Sequence, residues 1–329
     1  MMHVYAARNG TLEKLEPDPA GLPEGGVWID LVHPTPDEEK LVEAWLGLDI
    51  PTREEMQEIE ASSRLYEEDG ALYMTALVVW KADTQEPANT PITFILTQRH
   101  LITVRYADPL PFKNFMARCS KQPRTVATSD SAFIGLLEAI VDRAADLLER
   151  IGVELDSISG SIFQPQPRDG RRRPARHRPA DLEQVITRIG QNNDLATKVR
   201  ESIISLGRVV SFFRETAKDW VQSATRVHTK TIDRDVRSLN EHDSYLVQKV
   251  NFLLDATLGL INIQQNAIIK IFSVAAVVFM PPTLVASIYG MNFRHIPELE
   301  FDFGYPMALF IMLCSAVLPY LYFKYRRWL

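Results

Sequence analysis

Apolar positions change their spacing along this chain. Up to about residue 125 they fall in short clusters. Val27-Trp28-Ile29-Asp30-Leu31-Val32 reads as a strand, and Pro36 to Leu46 as a helix, with Thr35 as N-cap and acids in its first turn. Leu72 to Trp80 is rich in β-branched and aromatic residues. Ile92 to Leu96 and Leu101 to Arg105 flank Gln98-Arg99-His100 as a hairpin. This texture predicts an α/β domain with a mixed or mainly antiparallel sheet.

From Asp130 the spacing becomes three and four. Phe133, Leu137, Ile140, Ala144, Leu147, Ile151, Leu155, Ile158 and Ile162 form one series, and Leu182 to Phe213 a second. A third runs through Val236, Leu239, Asp243, Leu246, Val250, Leu253, Thr257 and Leu260. Each series lays one stripe along a helix, and sustained over heptads it implies coiled-coil-like packing, within or between chains. Gln164 to Pro179 interrupts the first two helices, because Pro165, Pro167, Pro174 and Pro179 deny helical hydrogen bonds. This basic tip reads either as a solvated turn or as a contact with anionic lipid headgroups.

Two runs carry no charge: Ile271 to Gly290, 20 residues, and Tyr305 to Phe323, 19 residues. Both reach the length of a membrane-spanning helix. A buried core hairpin is the alternative, but two such runs are rare in soluble cores. Lys270 precedes the first run and Lys324, Arg326 and Arg327 follow the second, while the loop between them sets Arg294 against Glu298, Glu300 and Asp302. Cations gather on the cytoplasmic side, so both termini are expected in the cytoplasm, with Tyr322, Tyr325 and Trp328 at the inner interface. Met1 to Gly10 has no apolar core of the kind a cleaved signal carries. The expected domains are 1–128 (cytoplasmic α/β), 129–267 (long-helix stalk) and 268–329 (transmembrane).

The mean hydropathy of -0.10 averages a large polar part with a small apolar one. Cys119 and Cys314 fall in the soluble part and the second span, which excludes a disulfide framework. A net charge of -6 and no Walker-type glycine loop argue against nucleic-acid partners and ATP-driven pumping. No nucleophile arrangement or metal-ligand cluster appears in the N-terminal α/β domain, and histidines such as His33 and His100 are scattered. No enzyme and no cofactor are expected.

No proline or glycine cluster separates Ile232 from the first span, so one helix is expected from about Ile232 to Tyr289, kinked or tightened at Pro281-Pro282. It carries a second stripe: Asp255, Gly259, Asn262, Asn266, Ile269, Ser273, Ala276, Met280, Thr283 and Ser287. Small residues in membrane helices are often packing points. Asp255, Asn262, Asn266 and Thr283 fit that reading less well, since polar side chains near a span usually face a bundle interior or a wet cavity. Two spans cannot enclose a channel, so a pore requires several copies.

Such a pore suits a hydrated divalent cation. Mg²⁺ sheds water reluctantly and takes oxygen ligands; Asn292 and nearby carbonyls would hold its water shell, and Asp255 would concentrate cations at the inner end. Met280, Ile269 and Phe272 would form constrictions that gate by dewetting. The lack of embedded Cys/His clusters argues against a dehydrated zinc or copper site. With no energy-coupling motif, the membrane potential is the driving force.

Ile288-Tyr289-Gly290-Met291-Asn292-Phe293, followed by Pro297-Glu298-Leu299, resembles the CorA-type magnesium transporters. The likeness extends through Pro281 to Ala286, Gln248 to Phe252, Ile261 to Ser273, Val27 to Leu31 and Glu58 to Ser62, essentially the whole chain, and points to the proteobacterial branch. It implies a funnel-shaped homopentamer of α+β membrane subunits in the bacterial inner membrane. Each would have a long pore-lining helix and an outer second helix. It implies Tyr289, Gly290, Met291 and Asn292 as selectivity loop, Asn266, Ile269, Phe272, Met280 and Thr283 as pore positions, and Asp255 as an acidic pore entrance. It further implies import of Mg²⁺, Co²⁺ and Ni²⁺, and closure by cytoplasmic Mg²⁺ at acidic sites between subunits, for which Asp83, Glu86, Asp233 and Asp235 are candidates. Two features depart from the family: Arg294-His295 follow Phe293 where an acid is common, and Arg171, Arg172 and Arg173 make the helix tip basic. A zinc transporter of the ZntB type shares the fold, although Met291 favours magnesium. A non-transporting coiled-coil scaffold would give Asn292 no role, and a membrane enzyme finds no catalytic constellation.

Overall fold

The computed structural model describes residues 1–8, 11–16, 21–121, 126–163, 179–218, 220–291 and 303–326. The chain divides into two compact units, Met1–Leu254 and Asp255–Leu329.

The first unit is built on seven strands: β1 (Met2–Arg8), β2 (Thr11–Leu15), β3 (Gly26–Val32), β4 (Leu65–Glu68), β5 (Ala71–Trp80), β6 (Ala88–Leu96) and β7 (Leu101–Arg105). They pair in the order β2-β1-β3-β7-β6-β5-β4. Every pairing is antiparallel except β3 with β7, where Ile29 stands beside Ile102. The sheet is therefore mixed, as the sequence suggests. The hairpin is present with Ile95 opposite Ile102, and Thr97 closes it by donating its N–H to the His100 carbonyl at 2.9 Å.

Helix α1 (Pro36–Leu46) follows β3. Thr35 Oγ accepts the Glu38 N–H while the Glu38 carboxylate accepts the Thr35 N–H, a reciprocal cap. Gly47 ends the helix in the left-handed region (φ 67°), where a side chain would be strained. A short α2 (Ala61–Arg64) leads into β4. The sequence reading leaves out β1, β2, β4 and α3 (Leu110–Lys121). Tertiary packing holds β1 and α3: Tyr5 stacks on Trp28 at 4.7 Å, and Phe115 of α3 meets the Trp28 ring edge-on at 5.6 Å.

Asp30 pins the parallel pair. Its carboxylate accepts from Thr103 Oγ at 2.7 Å, Arg105 Nε at 3.0 Å and Arg105 Nη2 at 2.9 Å, all buried. A buried carboxylate is tolerable only when its lone pairs are filled in this way.

Two long helices cover the sheet, α4 (Ser129–Phe163) and α5 (Pro179–Thr216). The nine apolar residues of the first series, Phe133 through Ile162, are all buried. The second series is buried except at Asn192. The basic tip between these helices lies outside the described residues. Where β4 has ended, α5 also closes the open edge of β5. Leu77 sits opposite Pro91, which has no N–H, so Leu77 turns its backbone groups to the free edge. Ser205 Oγ accepts the Leu77 N–H at 3.0 Å and Ser202 Oγ donates to its carbonyl at 2.8 Å.

Helix α6 runs without interruption from Ser223 to Tyr289, 67 residues. It starts nine residues before Ile232, the start expected from sequence. No breaker intervenes, and burial of Thr225 and Thr229 holds the first turns despite their modest propensity. Its lower part packs through the third series: Val236, Asp243, Leu246, Val250 and Leu253 are buried. Gly207 of α5 allows a close approach, because a Cβ there would stand 3.3 Å from Val236 Cγ1. Lys249 Nζ reaches Asp156 of α4 at 2.7 Å.

In the second unit α6 continues, and α7 (Gly304–Tyr325) follows. Both helices are long and apolar enough to span a bilayer, and little of either apolar stretch is buried. The helix of a soluble core would be mostly buried, so this exposure favours spans over the hairpin alternative. Pro281 and Pro282 lie inside α6 without ending it. Their missing N–H groups leave the carbonyls of Val277 and Val278 without a helical donor, and just beyond them Thr283 Oγ donates to the Phe279 carbonyl at 2.7 Å.

Candidate ion pathway

The stripe from Asp255 to Ser287 lies wholly on α6, and its steps alternate four and three. It is thus a strict seven-residue repeat, which occupies an arc of about 120° at 3.6 residues per turn. All ten positions, and Phe272 beside them, are exposed in the single chain. Phe272 is 71% exposed and Met280 69%. Buried positions on α6 beyond Leu254 are confined, among the described residues, to Thr257 and Val274, and on α7 to Gly304 and Ala308. Apolar side chains this open require cover, from lipid or from other copies.

The repeat does not begin at Asp255. Counted backward in the same register it passes through Phe252, Gln248, Tyr245, Glu241, Ser238, Arg234 and Thr231, each exposed. Below Asp255 the positions mix charge with aromatics. Only the seven-residue count links them. One face of α6 therefore packs on its own chain, and a second, seven-residue face stays exposed, with Phe252 on it stacking on Phe163 of α4 at 5.8 Å.

At the upper end, Gly290 donates its N–H to the Ala286 carbonyl at 3.0 Å and Met291 to the Ile288 carbonyl at 3.3 Å, closing the last turn beyond Tyr289. A Cβ on Gly290 would stand 3.1 Å from the Ala286 oxygen, tighter than side chains normally tolerate. Asn292, Arg294, His295 and the Pro297-Glu298-Leu299 segment lie outside the described residues.

The four regulatory candidates are not alike. Asp83 receives Arg143 Nη2 at 2.8 Å and a second guanidinium from Arg150. Burial alone would raise the Asp83 carboxyl, but the hydrogen bonds and charges of Arg150 and Arg143 outweigh it and hold the pKa below its ordinary value. Asp233 is held by Arg214 at 2.7 Å and Arg237 at 2.9 Å. Asp235 has only Arg234 at 3.8 Å, and Glu86 has no ion pair among the described residues. The described residues hold no cluster of three or more His, Cys, Asp or Glu groups able to bind a metal.

Sequence reading also missed a buried pair. Asp243 of α6 is fully buried, with Arg200 Nε of α5 2.9 Å from Oδ2, yet neither carboxylate oxygen has a well-directed hydrogen bond. Burial pushes this carboxyl up, and Arg200 and His242 offset it only in part. Its place in a helix stripe marks it as a core position, but nothing local in the sequence names Arg200.

A mixed-sheet domain, a long helix passing into an apolar segment, and a second apolar helix are the layout of a two-span membrane protein. A family model described as CorA-like Mg²⁺ transporter protein matches residues 23–326. The chain belongs to the CorA family, whose members are transporters and not enzymes. It is 34% identical to the magnesium transport protein CorA of Escherichia coli K12, over 329 residues and the whole of both chains. The complete structure of the CorA magnesium transporter from Methanocaldococcus jannaschii superimposes with a TM-score of 0.78, at 17% identity, covering 100% of this chain and 99% of that one. The ZntB cytoplasmic domain from Vibrio parahaemolyticus is more distant, with a TM-score of 0.57 at 10% identity over 78% of this chain and 96% of that one.

Proposed function

We propose that the chain forms a homopentameric channel in a bacterial inner membrane, with both termini cytoplasmic, and that the channel carries Mg²⁺ inward down the membrane potential. Co²⁺ and Ni²⁺ are further substrates. The observation that supports this most directly is the exposed seven-residue repeat on α6, which turns small and polar groups away from its own chain along the helix. Five such faces around an axis would stack rings from Asp255 through Asn262, Asn266, Ser273, Ala276, Thr283 and Ser287.

The chemistry follows from the ion. Mg²⁺ demands octahedral oxygen and gives up water slowly, so amide and hydroxyl rings that accept its hydration shell suit it better than a dehydrating cage. Asn292 selects at the outer mouth by hydrogen bonding that shell. Asp255 raises the local cation concentration at the inner end. Ile269, Phe272 and Met280 form apolar rings that stop conduction when they dewet. A divalent ion gains about 4.6 kcal/mol per 100 mV, so no nucleotide hydrolysis is needed. Cytoplasmic Mg²⁺ closes the channel by occupying acids between subunits.

Purified protein in liposomes holding a Mg²⁺-sensitive dye tests this reading. Flux should appear with an inside-negative potential and fall at least about tenfold in Asn292→Ala. Absent flux, or flux indifferent to that change, overturns the assignment. Zn²⁺ run in parallel, with and without a proton gradient, separates magnesium from zinc transport.

A further inference from the structure

One charged side chain sits inside the apolar stripe by which α6 packs on the rest of the first unit. Val236, Leu246, Val250 and Leu253 of that stripe are buried, and Asp243 is fully buried among them. Arg200 of α5 brings Nε to 2.9 Å from its Oδ2, yet both carboxylate oxygens lack a well-directed hydrogen bond. The guanidinium is oriented by the next residue of α6 instead. Its Nη2 donates to Ser244 Oγ at 3.1 Å, and Ser244 donates in turn to the Asn240 carbonyl at 2.9 Å. Arg200 is also 39% exposed, so water shares its charge.

This position is unfavourable for an ionised carboxylate. A charge taken out of water is tolerated when hydrogen bonds fill its lone pairs, as they do for Asp30 in the sheet. Asp243 has one partly solvated charge partner and no such bonds. A neutral carboxylic acid loses far less on leaving water, so the packed seam favours the protonated form. Burial accordingly pushes this carboxyl up. Arg200 from α5 and His242 of the same helix offset the burial in part. Helix α4 packs on α6 nearby, with Gly152 against Leu246 and Asp156 on Lys249, but sends no charge that reaches Asp243. Where α5 and α6 part, water solvates the carboxylate and its ordinary proton affinity returns.

We infer that α6 packs on α5 with uptake of a proton at Asp243, so that acid tightens this seam and base loosens it. The sign follows from linkage: the arrangement that holds the proton more firmly gains as proton concentration rises. The response begins in the ordinary carboxylate range and ends above the raised value. Below that window both arrangements hold the proton, and above it neither does. Helix α6 continues unbroken to Tyr289, so the tightness of the seam bears on the helix that carries the exposed stripe. That last step rests on the proposed channel; the proton site does not.

Hydrogen exchange of the full chain in detergent, over a series of pH values and with each rate divided by the chemical rate at its pH, tests the site. Protection around Arg200 and Asp243 should rise at least about twofold as pH falls through the window. Asp243→Asn should hold protection near the acid level at every pH. Arg200→Gln removes an offsetting charge and should move the response to higher pH, whereas His242→Gln should keep the response. Native protection that ignores pH, a response that survives Asp243→Asn, or one that disappears with His242→Gln overturns the site. Dye flux at stepped internal pH reads the link to the pathway: native flux should change with internal pH, and flux through Asp243→Asn should not. Level native flux beside a protection response overturns that link alone, and absent flux at every pH counts against the channel alone.

Discussion

Arg143 places its Nη2 2.8 Å from Oδ2 of Asp83, a carboxylate that would otherwise be a natural first ligand for a regulatory cation. With Arg150 on the same group, a divalent ion must displace two guanidiniums to bind there. Arg143→Ala combined with Arg150→Ala should therefore close the channel at about three- to tenfold lower internal Mg²⁺. Dye flux at stepped internal Mg²⁺ measures the shift, and an unchanged closing concentration removes Asp83 from regulation.

The same pairing sets a pH dependence. The Asp83 pKa is depressed, so its contribution to stability is full above the ordinary carboxylate range and disappears as pH falls through the depressed value. The group is 64% exposed, and the effect is correspondingly small. Melting temperatures of the native chain and Asp83→Asn should differ slightly at pH 7 and converge as the pH falls below the ordinary carboxylate range.

Asp243 predicts an asymmetry. Its carboxyl is raised by burial, so the ionised form works against the fold, and that loss sets in as pH rises from the ordinary value through the raised one. Asp243→Asn should be close to neutral at pH 7. Arg200→Ala leaves the buried charge uncompensated and should cost about 3–5 kcal/mol. Equal destabilisation by both, read from melting curves in detergent, contradicts this account.

Ser202 and Ser205 close the β5 edge at Leu77. Replacing either with Ala leaves a covered backbone group without a partner, which costs about 1–3 kcal/mol. Hydrogen exchange at Leu77 should rise in Ser205→Ala more than in Ser202→Ala, since only Ser205 takes that N–H.

Gly290→Ala should disrupt the outer mouth. The added Cβ presses on the Ala286 oxygen at 3.1 Å, so the last turn must shift. Flux should fall about tenfold or more, as a small displacement of a selectivity group suffices, while the melting temperature of the first unit stays unchanged.

Features that depend on nearby residues were readable from the sequence. The Thr35 cap, the hairpin around Gln98-Arg99-His100 and the long apolar runs each announce themselves within a few positions. Distant pairings did not. The parallel contact of Ile29 with Ile102 joins residues far apart, and Arg143 and Arg150 lie 60 and 67 positions from Asp83. Helix α3 was not read because packing of Phe112 and Phe115 around the distant Trp28 decides it. The pathway stripe was legible from Asp255 upward, where the polar residues stand out against an apolar helix, and illegible below, where polarity is the background.

The seven-residue count on α6 has a mechanical consequence. A helix winds at 3.6 residues per turn, so a face repeating every seven lags by about 20° in each repeat. From Asp255 to Thr283 the lag reaches about 80°. Straight helices around an axis could not present the whole face at once; they must coil left-handed to do so. A small change in that coiling, imposed at the lower end, turns the upper residues toward or away from the axis together, as the blades of an iris turn with its rim. Thr283 and Ser287, farthest from that lower end, would sweep through the largest angle.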